Sequence, residues 1–174
     1  MKPKQNYGIG DKDLCQTPDY ALDPLLPYIK DDIVWECASG EGNIVRVLES
    51  RGHSVIGTDI LFGTDFFNWQ PEAWDCIVTN PPYRLKYQWL ERCYQLGKPF
   101  ALLMPLETLG AKRAQVLFEK YGFEIILLRP RVNFKMPNRG YDGKGAQFPT
   151  AWFTWKLEIG QQITFAELIR REQV

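Results

Sequence analysis

The chain has 174 residues, 21 acidic and 21 basic side chains, a formal net charge of zero, 45% apolar residues and 14% aromatic residues. This composition predicts one globular domain with a sizeable core and excludes a disordered chain. A neutral chain has no overall positive field, so any nucleic-acid contact must depend on a local basic surface.

The first part of the chain predicts a loose arm and a broken helix. Residues 1–14 are polar and interrupted by glycine, so we expect a flexible arm there. Thr17-Pro18 is then a helix-start signal, with threonine as the cap and proline at the first helical position. A second Asp-Pro pair follows soon after, so the helix expected over 18–30 is short and broken.

The next stretch predicts a nucleotide-binding unit. An apolar run ends in Glu36 and passes through a Gly-x-Gly turn, Gly40 and Gly42, into a segment whose apolar residues have helical spacing. Glycines let the backbone approach a ligand closely, and a helix N-terminus offers it free N–H groups. The full Gly-x-Gly-x-x-Gly fingerprint is absent, because Val45 takes the third position.

Two carboxylates follow this unit. A second strand, predicted over 53–57, leads to Asp59, which lies 23 residues after Glu36, about where Rossmann-like folds hold ribose hydroxyls. Asp65 stands beside Phe66, and such a pair can bind the amine of an adenine ring and stack on its face. The alternatives are an aspartate that caps a turn and a phenylalanine of the core.

A strand predicted over 74–79 ends abruptly at Asn80-Pro81-Pro82-Tyr83. Prolines cannot donate to a sheet, and they hold the residues before them in extended conformations. The Asn80 side chain, the Pro81 carbonyl and the Tyr83 ring are therefore presented in one rigid arrangement. Two oxygens of this kind accept both hydrogens of a planar amine while the ring stacks on its heterocycle. A rigid turn beside a core tyrosine is the alternative.

The rest of the chain alternates strands and helices. The predicted helices cover 87–96 and 106–121, and the predicted strands cover 100–104, 123–128 and 150–157. No helix joins the last two strands, so the sequence predicts an α/β fold with a mostly parallel seven-stranded sheet, an antiparallel last strand and helices on both faces. Thr164-Phe165-Ala166-Glu167 forms a capping box, which predicts a C-terminal helix over 163–174.

The loop predicted at 129–147 is basic, with a single acid among five cations and with two aromatic residues, Phe134 and Tyr141, between them. The cations are Arg129, Arg131, Lys135, Arg139 and Lys144. Cations interleaved with aromatic rings are typical of phosphate contacts combined with base stacking. A solvated loop is the alternative.

Cysteine usage and hydropathy indicate the compartment. The four cysteines form no Cys-x-x-Cys pair and the chain has one histidine, so we expect free thiols in a reducing compartment and no metal site. The start Met1-Lys2-Pro3-Lys4 lacks the apolar segment of a signal peptide, and no apolar run approaches the length of a membrane span. We therefore expect a cytoplasmic protein.

Asn80-Pro81-Pro82-Tyr83 resembles the catalytic motif of amino-directed, S-adenosylmethionine-dependent methyltransferases, especially the DNA adenine-N6 enzymes. The resemblance covers roughly 15–157, with the methionine-binding segment, glycine loop, ribose acid and adenine-binding pair preceding the catalytic motif. It implies a Rossmann-like class I methyltransferase fold and S-adenosylmethionine as the cofactor. It also implies base flipping and direct, in-line transfer of the methyl group to N6 of adenine in DNA.

The resemblance implies roles for individual residues as well. The catalytic residues would be Asn80, Pro81, Pro82 and Tyr83. The cofactor-binding residues would be Thr17, Pro18, Glu36, Ala38, Gly40, Gly42, Asp59, Ile60, Asp65, Phe66 and Asn80. The acceptor-binding residues would be Tyr83, Phe134, Arg131, Lys135, Arg139 and Lys144.

The chain departs from the family's pattern in two ways. The glycine loop has Ala38-Ser39 where a proline or an aromatic residue is usual, and no separate target-recognition domain follows the catalytic fold. The small size resembles phage or prophage orphan methyltransferases, which act in the host cytoplasm. Two other interpretations stay open: methylation of an adenine or guanine amine in RNA or of a protein glutamine, and a non-catalytic nucleotide-binding module.

Overall fold

A seven-stranded sheet forms the centre of the computed structural model, which describes residues 15–30, 33–136, 141–142 and 148–170. In chain order, its strands and helices are β1 Ile33–Glu36, α1 Asn43–Ser50, β2 Ser54–Gly57, β3 Cys76–Thr79, α2 Lys86–Leu96, β4 Phe100–Pro105, α3 Lys112–Tyr121, β5 Glu124–Arg129, β6 Lys135–Met136, β7 Tyr141–Asp142, β8 Thr150–Trp155 and β9 Ile163–Glu167. The pair β6 and β7 forms a separate two-stranded hairpin.

The order of strands in the large sheet is β2-β1-β3-β4-β8-β5-β9. Neighbouring strands are parallel except at β8, which is antiparallel to both β4 and β5. This arrangement confirms the predicted mostly parallel seven-stranded sheet and its antiparallel strand. The segments predicted as strands supply six of the seven, and the seventh, β9, lies where a helix was predicted. The antiparallel strand lies inside the sheet, however, because β8 inserts between β4 and β5.

The inner strands are buried on both faces, as expected of parallel strands that helices cover on each side. Every residue of β3 and β4 is buried. One core contains Ile44 and Leu48 of α1, and the other contains Leu90 of α2 and Phe118 of α3. Helices therefore cover both faces of the sheet, as predicted.

The prediction of a C-terminal helix over 163–174 is wrong for the part that the structure describes. Ile163–Glu167 is β9, an edge strand parallel to β5, with Ile125 opposite Ile163. The side chains of β9 alternate between exposed and half-buried, which is the period of a strand. The capping-box pattern reflects only neighbouring residues. The backbone pairing with β5, a strand far away in the sequence, determines the structure of this segment instead. Residues 171–174 lie outside the described residues.

The other helix predictions hold with changed boundaries. The broken helix expected over 18–30 consists of two 3₁₀ turns, Asp19–Ala21 and Leu26–Tyr28. Pro18 is the cap of the first and no side chain caps it, so the prediction of Thr17 as the cap and Pro18 as the first helical residue is wrong. The helix predicted over 106–121 begins as a 3₁₀ turn, Leu106–Gly110, before α3 starts. The arm expected over 1–14 lies outside the described residues. In the described part of the chain, no helix has the length and apolar character needed to cross a membrane.

Candidate active site

A cavity of about 320 Å³ lies at the carboxyl ends of β1, β2 and β3. These three strands are neighbours in the sheet, and the chain order reverses between β1 and β3, which is where doubly wound sheets bind ligands. Nine residues predicted to bind the cofactor line the cavity: Thr17, Glu36, Ala38, Gly40, Asp59, Ile60, Asp65, Phe66 and Asn80. Pro18 and Gly42, which were predicted with them, do not line it.

The glycine loop between β1 and α1 depends on left-handed backbone conformations. Gly40 has a φ of 48° and Gly42 a φ of 81°, a region that favours glycine. Gly42 caps the N-terminus of α1, and a Cβ there would lie 3.3 Å from Nη1 of Arg46. Gly40 thus contributes directly to the cavity wall, whereas Gly42 shapes the turn behind it.

Asp59, predicted as the ribose acid, connects two walls of the cavity. Its Oδ2 accepts a hydrogen bond from the Gly40 N–H at 2.8 Å, and its Oδ1 accepts one from the Leu61 N–H at 2.8 Å. The residue therefore caps a turn, which was the alternative interpretation, and also lines the cavity. Each carboxylate oxygen has a further lone pair for a ligand hydroxyl.

Glu36 is the most deeply buried carboxylate of the cavity wall, with 1% of its surface exposed. Its Oε1 accepts hydrogen bonds from the Ala38 N–H at 2.9 Å and from the Thr79 hydroxyl, whereas Oε2 is buried and has no partner among the described residues. Burial raises the pKa of Glu36 from an ordinary value near 4.5 to about 8, although the two hydrogen bonds lower it. The side chain is therefore mostly protonated at neutral pH.

Asp65 and Phe66 are neighbours in the cavity wall, but Asp65 is half-buried whereas Phe66 is buried. Asp65 Oδ1 accepts from the Phe67 N–H at 3.0 Å. Phe66 is 3% exposed and stacks on Trp89, with ring centroids 4.1 Å apart, and it also contacts Trp35 at 5.4 Å. Phe66 is thus a core residue as well as a wall residue, and Trp89 already covers one face of its ring.

An apolar turn at the cavity was only partly found from the sequence. Ile60–Phe62 forms a 3₁₀ turn after Asp59, and all three side chains line the cavity. They are exposed, Phe62 to 75%. Only Ile60 was predicted, although three consecutive apolar residues between Asp59 and Gly63 were a visible signal. Such a surface is suited to cover a flat apolar ring.

Asn80 lies where β3 leaves the sheet. Its Nδ2 donates to Thr17 Oγ1 at 3.1 Å, while its Oδ1 is buried without a partner in the part of the chain that the structure describes. Pro82 follows with φ −62° and caps a short 3₁₀ turn, Tyr83–Leu85. Asn80 and Pro82 line the cavity, whereas Pro81 is buried and does not. The motif therefore holds an unsatisfied acceptor oxygen at the cavity wall.

Tyr83 does not line the cavity and belongs to an adjacent aromatic group. Its ring meets Phe148 edge to face at 5.6 Å, and Phe148 stacks on Phe134 at 6.1 Å. Tyr83 Oη is buried without a hydrogen-bond partner among the described residues, and burial raises the pKa of the hydroxyl well above its ordinary value. The structure thus connects the predicted Tyr83 and Phe134 through Phe148, which the sequence did not indicate.

The basic loop is described only in part. Arg131 is exposed, and Lys135 pairs through its backbone with Gln16, whose N–H donates to the Lys135 carbonyl at 2.9 Å. Arg139 and Lys144 lie outside the described residues. Among the residues that the structure does describe, no three His, Cys, Asp or Glu side chains form a metal-ligand group.

No family model matches the sequence, and no curated protein matches it. Solved structures match its architecture. A type I restriction-modification system methyltransferase subunit from Streptococcus thermophilus has a TM-score of 0.57 and 12% identity, over 88% of this chain and 47% of that one. A Listeria monocytogenes protein named as a class I S-adenosylmethionine-dependent methyltransferase has a TM-score of 0.60 and 13% identity, over 94% of this chain and 68% of that one. The chain has the class I methyltransferase fold.

The position of the cavity in the sheet is the ligand-binding position of doubly wound folds. The cavity occupies the switch point of the sheet, and the glycine loop, Asp59 and Asn80 follow three successive strands of it. At identities of 12% and 13% the likeness concerns architecture, so the chemistry must be argued from the side chains. The chain also spans only about half the length of the Streptococcus thermophilus subunit.

Proposed function

We propose that this chain transfers a methyl group from S-adenosylmethionine to the N6 amine of adenine in DNA. The observation that carries the proposal is Asn80, a rigidly placed amide with a buried, unpartnered oxygen at the wall of the switch-point cavity. A buried acceptor without a donor is costly, so it indicates a site that a ligand donor completes.

The residues of the cavity fit S-adenosylmethionine. Its volume of about 320 Å³ lies within the range of small-molecule sites. Asp59 has lone pairs for the ribose hydroxyls, the exposed turn Ile60–Phe62 offers an apolar cover for adenine, and Asp65 can accept from its amine. Glu36 Oε2 and Thr17 would face the charged amino-acid end of the cofactor. When bound, the cofactor supplies an electrophilic methyl group on a sulfonium.

The residues of the motif act on the acceptor amine. The nitrogen of an aminopurine is a weak nucleophile because its lone pair is delocalised into the ring. Asn80 Oδ1 and the Pro81 carbonyl accept its two hydrogens, which favours a pyramidal nitrogen with its lone pair directed at the methyl group. One proton then leaves to water, so no dedicated general base is required. Tyr83 stacks on the flipped base, which leaves the duplex at a cost of about a few kcal/mol.

Three acceptors share the chemistry of a planar amine: DNA adenine, an RNA base and a protein glutamine. The motif itself does not distinguish them. DNA is favoured by two cations that lie near Phe134 in the sequence after β5, Arg131 and Lys135, because cations beside aromatic residues are suited to phosphate contacts. The architectural likeness to a restriction-modification methyltransferase subunit supports the same choice.

The experiment combines methyl-labelled S-adenosylmethionine with four separate acceptors: unmethylated duplex DNA, single-stranded DNA, RNA and a mixed protein acceptor. After digestion, the labelled product is identified by chromatography. We expect label in N6-methyladenine from DNA. Label in RNA or in glutamine would replace the DNA assignment, and cofactor binding without label in any acceptor would leave a binding module.

A further inference from the structure

Three aromatic rings stand in a row beside the catalytic motif. Tyr83 contacts Phe148 at 5.6 Å with an interplanar angle of 77°, and Phe148 contacts Phe134 at 6.1 Å with an angle of 22°. These separations are contact distances for aromatic pairs, so no further ring fits between them. Phe148 thus fills the space between the two residues that were predicted to hold the acceptor.

The outer two rings are attached to well-fixed backbone. Tyr83 follows two prolines and begins a 3₁₀ turn. Phe134 is 6% exposed and lies between two backbone anchors: the Asn133 N–H donates to Tyr20 Oη at 3.0 Å, and the Lys135 N–H donates to the Gln16 carbonyl at 3.3 Å. The backbone thus fixes each of the two residues that the Phe148 ring contacts.

Phe148 differs from Phe134 in burial, since its side chain, like that of Tyr83, is half-buried. It lies two residues before β8, whose first residue is Thr150. The nearest anchor that follows it is Pro149, whose carbonyl accepts from the Leu106 N–H at 3.0 Å. A rotamer change at Phe148 therefore leaves β8 and its pairing with β4 unaltered.

The Tyr83 hydroxyl supplies a second, independent observation. It is buried, and no described residue hydrogen-bonds to it. A buried phenol normally finds a partner, so the present packing is unfavourable for this group. Withdrawal of the Phe148 ring would give the hydroxyl access to water or to an acceptor, which offsets part of the cost of moving the ring.

We propose that Phe148 closes the acceptor slot between Tyr83 and Phe134 in the free protein, and that an aromatic acceptor ring enters by taking its place. This inference rests on the proposed function and narrows it. A flat heterocycle in the place of Phe148 would stack on Phe134 and meet Tyr83 edge to face, the two contacts that the phenyl ring makes now. An aliphatic glutamine amide recovers none of the ring contacts that displacing Phe148 gives up.

Nitration of Tyr83 by tetranitromethane tests the closure, because the reagent requires an accessible ring. Mass spectrometry of digests measures the rate of Tyr83 nitration in the wild type, Phe148→Ala and Phe148→Leu. The matched control is Phe165→Ala, which removes an exposed ring on β9. We expect nitration at least fivefold faster in Phe148→Ala, an intermediate rate in Phe148→Leu and the wild-type rate in Phe165→Ala. Circular dichroism verifies the fold of each variant.

A second arm adds an adenine-containing single-stranded oligodeoxynucleotide or the same strand with thymine in place of adenine. The adenine strand should restore protection of Tyr83 in Phe148→Ala, and the thymine strand should protect it less. Equal nitration of wild type and both Phe148 variants overturns the closure, and absence of protection by the adenine strand overturns ring entry. If both arms agree with the inference but the wild type forms no N6-methyladenine, the slot stands and the proposed reaction is wrong.

Discussion

The two sides of the motif Asn80-Pro81-Pro82-Tyr83 are built differently. On the cavity side, the wall follows the ends of β1, β2 and β3, and main-chain N–H groups hold its carboxylates in place. On the other side, the Phe148 ring contacts both Tyr83 and Phe134, and no hydrogen bond to the Tyr83 hydroxyl is found among the described residues. The first side is an open cavity with unpartnered oxygens, and the second is closed by a side chain. A ligand can enter the first without rearrangement, whereas the second must change before it accepts anything.

Asn80→Ala should give the largest loss of activity, and it distinguishes the proposed role of Asn80 in turnover from cofactor binding in the cavity. The variant lacks the oxygen that accepts from the acceptor amine, so we expect kcat to fall by about 10²–10³-fold, the loss typical of one preorganised polar group. Calorimetry should show cofactor affinity within about threefold of wild type, because Asp59 and the glycine loop are untouched. A variant that retained most of its turnover would remove Asn80 from the proposed mechanism.

Glu36 tests the electrostatics of the cavity side. Because the pKa of Glu36 is about 8 in the folded state, against an ordinary value near 4.5, the folded state keeps its proton where the unfolded state loses it. The contribution of Glu36 to the free energy of unfolding should therefore be largest below pH 4.5 and should fall as the pH rises toward 8, by at most about 1.4 kcal/mol per pH unit.

Glu36→Gln removes this titration and keeps the shape of the side chain. We expect the difference in unfolding free energy between the variant and the wild type to grow in favour of the variant from pH 5 to pH 8. Urea denaturation at pH 5, 6.5 and 8 measures it. Parallel pH profiles for the two proteins would show that Glu36 is ionised in the folded state at neutral pH.

Thr17 lies on the cavity side and holds the Asn80 amide, and its substitution should have the smallest of these effects. Its hydroxyl accepts from Asn80 Nδ2 at 3.1 Å and so keeps Oδ1 directed away from it. Loss of one such hydrogen bond is worth about 1 kcal/mol, so Thr17→Val should lower kcat about fivefold. Thr17→Ser keeps the hydroxyl and should recover most of the loss. Equal losses in both variants would indicate a role for the methyl group in packing.

The sequence predicted the features that a short local pattern indicates, such as a polar residue directly after an apolar run. Glu36, Asp59 and Asn80 each follow an apolar run, and parallel strands bring such positions to one edge of a sheet. Asp59 also shows that competing interpretations can both be correct, since one carboxylate caps a turn and lines the cavity.

The features that the sequence missed depend on distant partners. Nothing near Phe148 indicates that it contacts Tyr83, because the loop between β5 and β8 carries no periodic pattern. The residues 164–167 have the capping-box pattern of a helix start, but they pair with β5 and form a strand. Phe66 was predicted from its neighbour Asp65, while Trp89, from the later helix α2, decides how much of its ring is available.

The antiparallel placement of β8 has a consequence for how such a protein can diversify. Because β5 and β8 are adjacent and run in opposite directions, the segment between them leaves and re-enters the sheet at the same edge as the cavity. Lengthening that segment costs little, since loop entropy grows slowly with length, and it leaves the pairing of Leu127 with Ala151 unaltered. New material can therefore be inserted at this one position while the core of the sheet keeps its strand register.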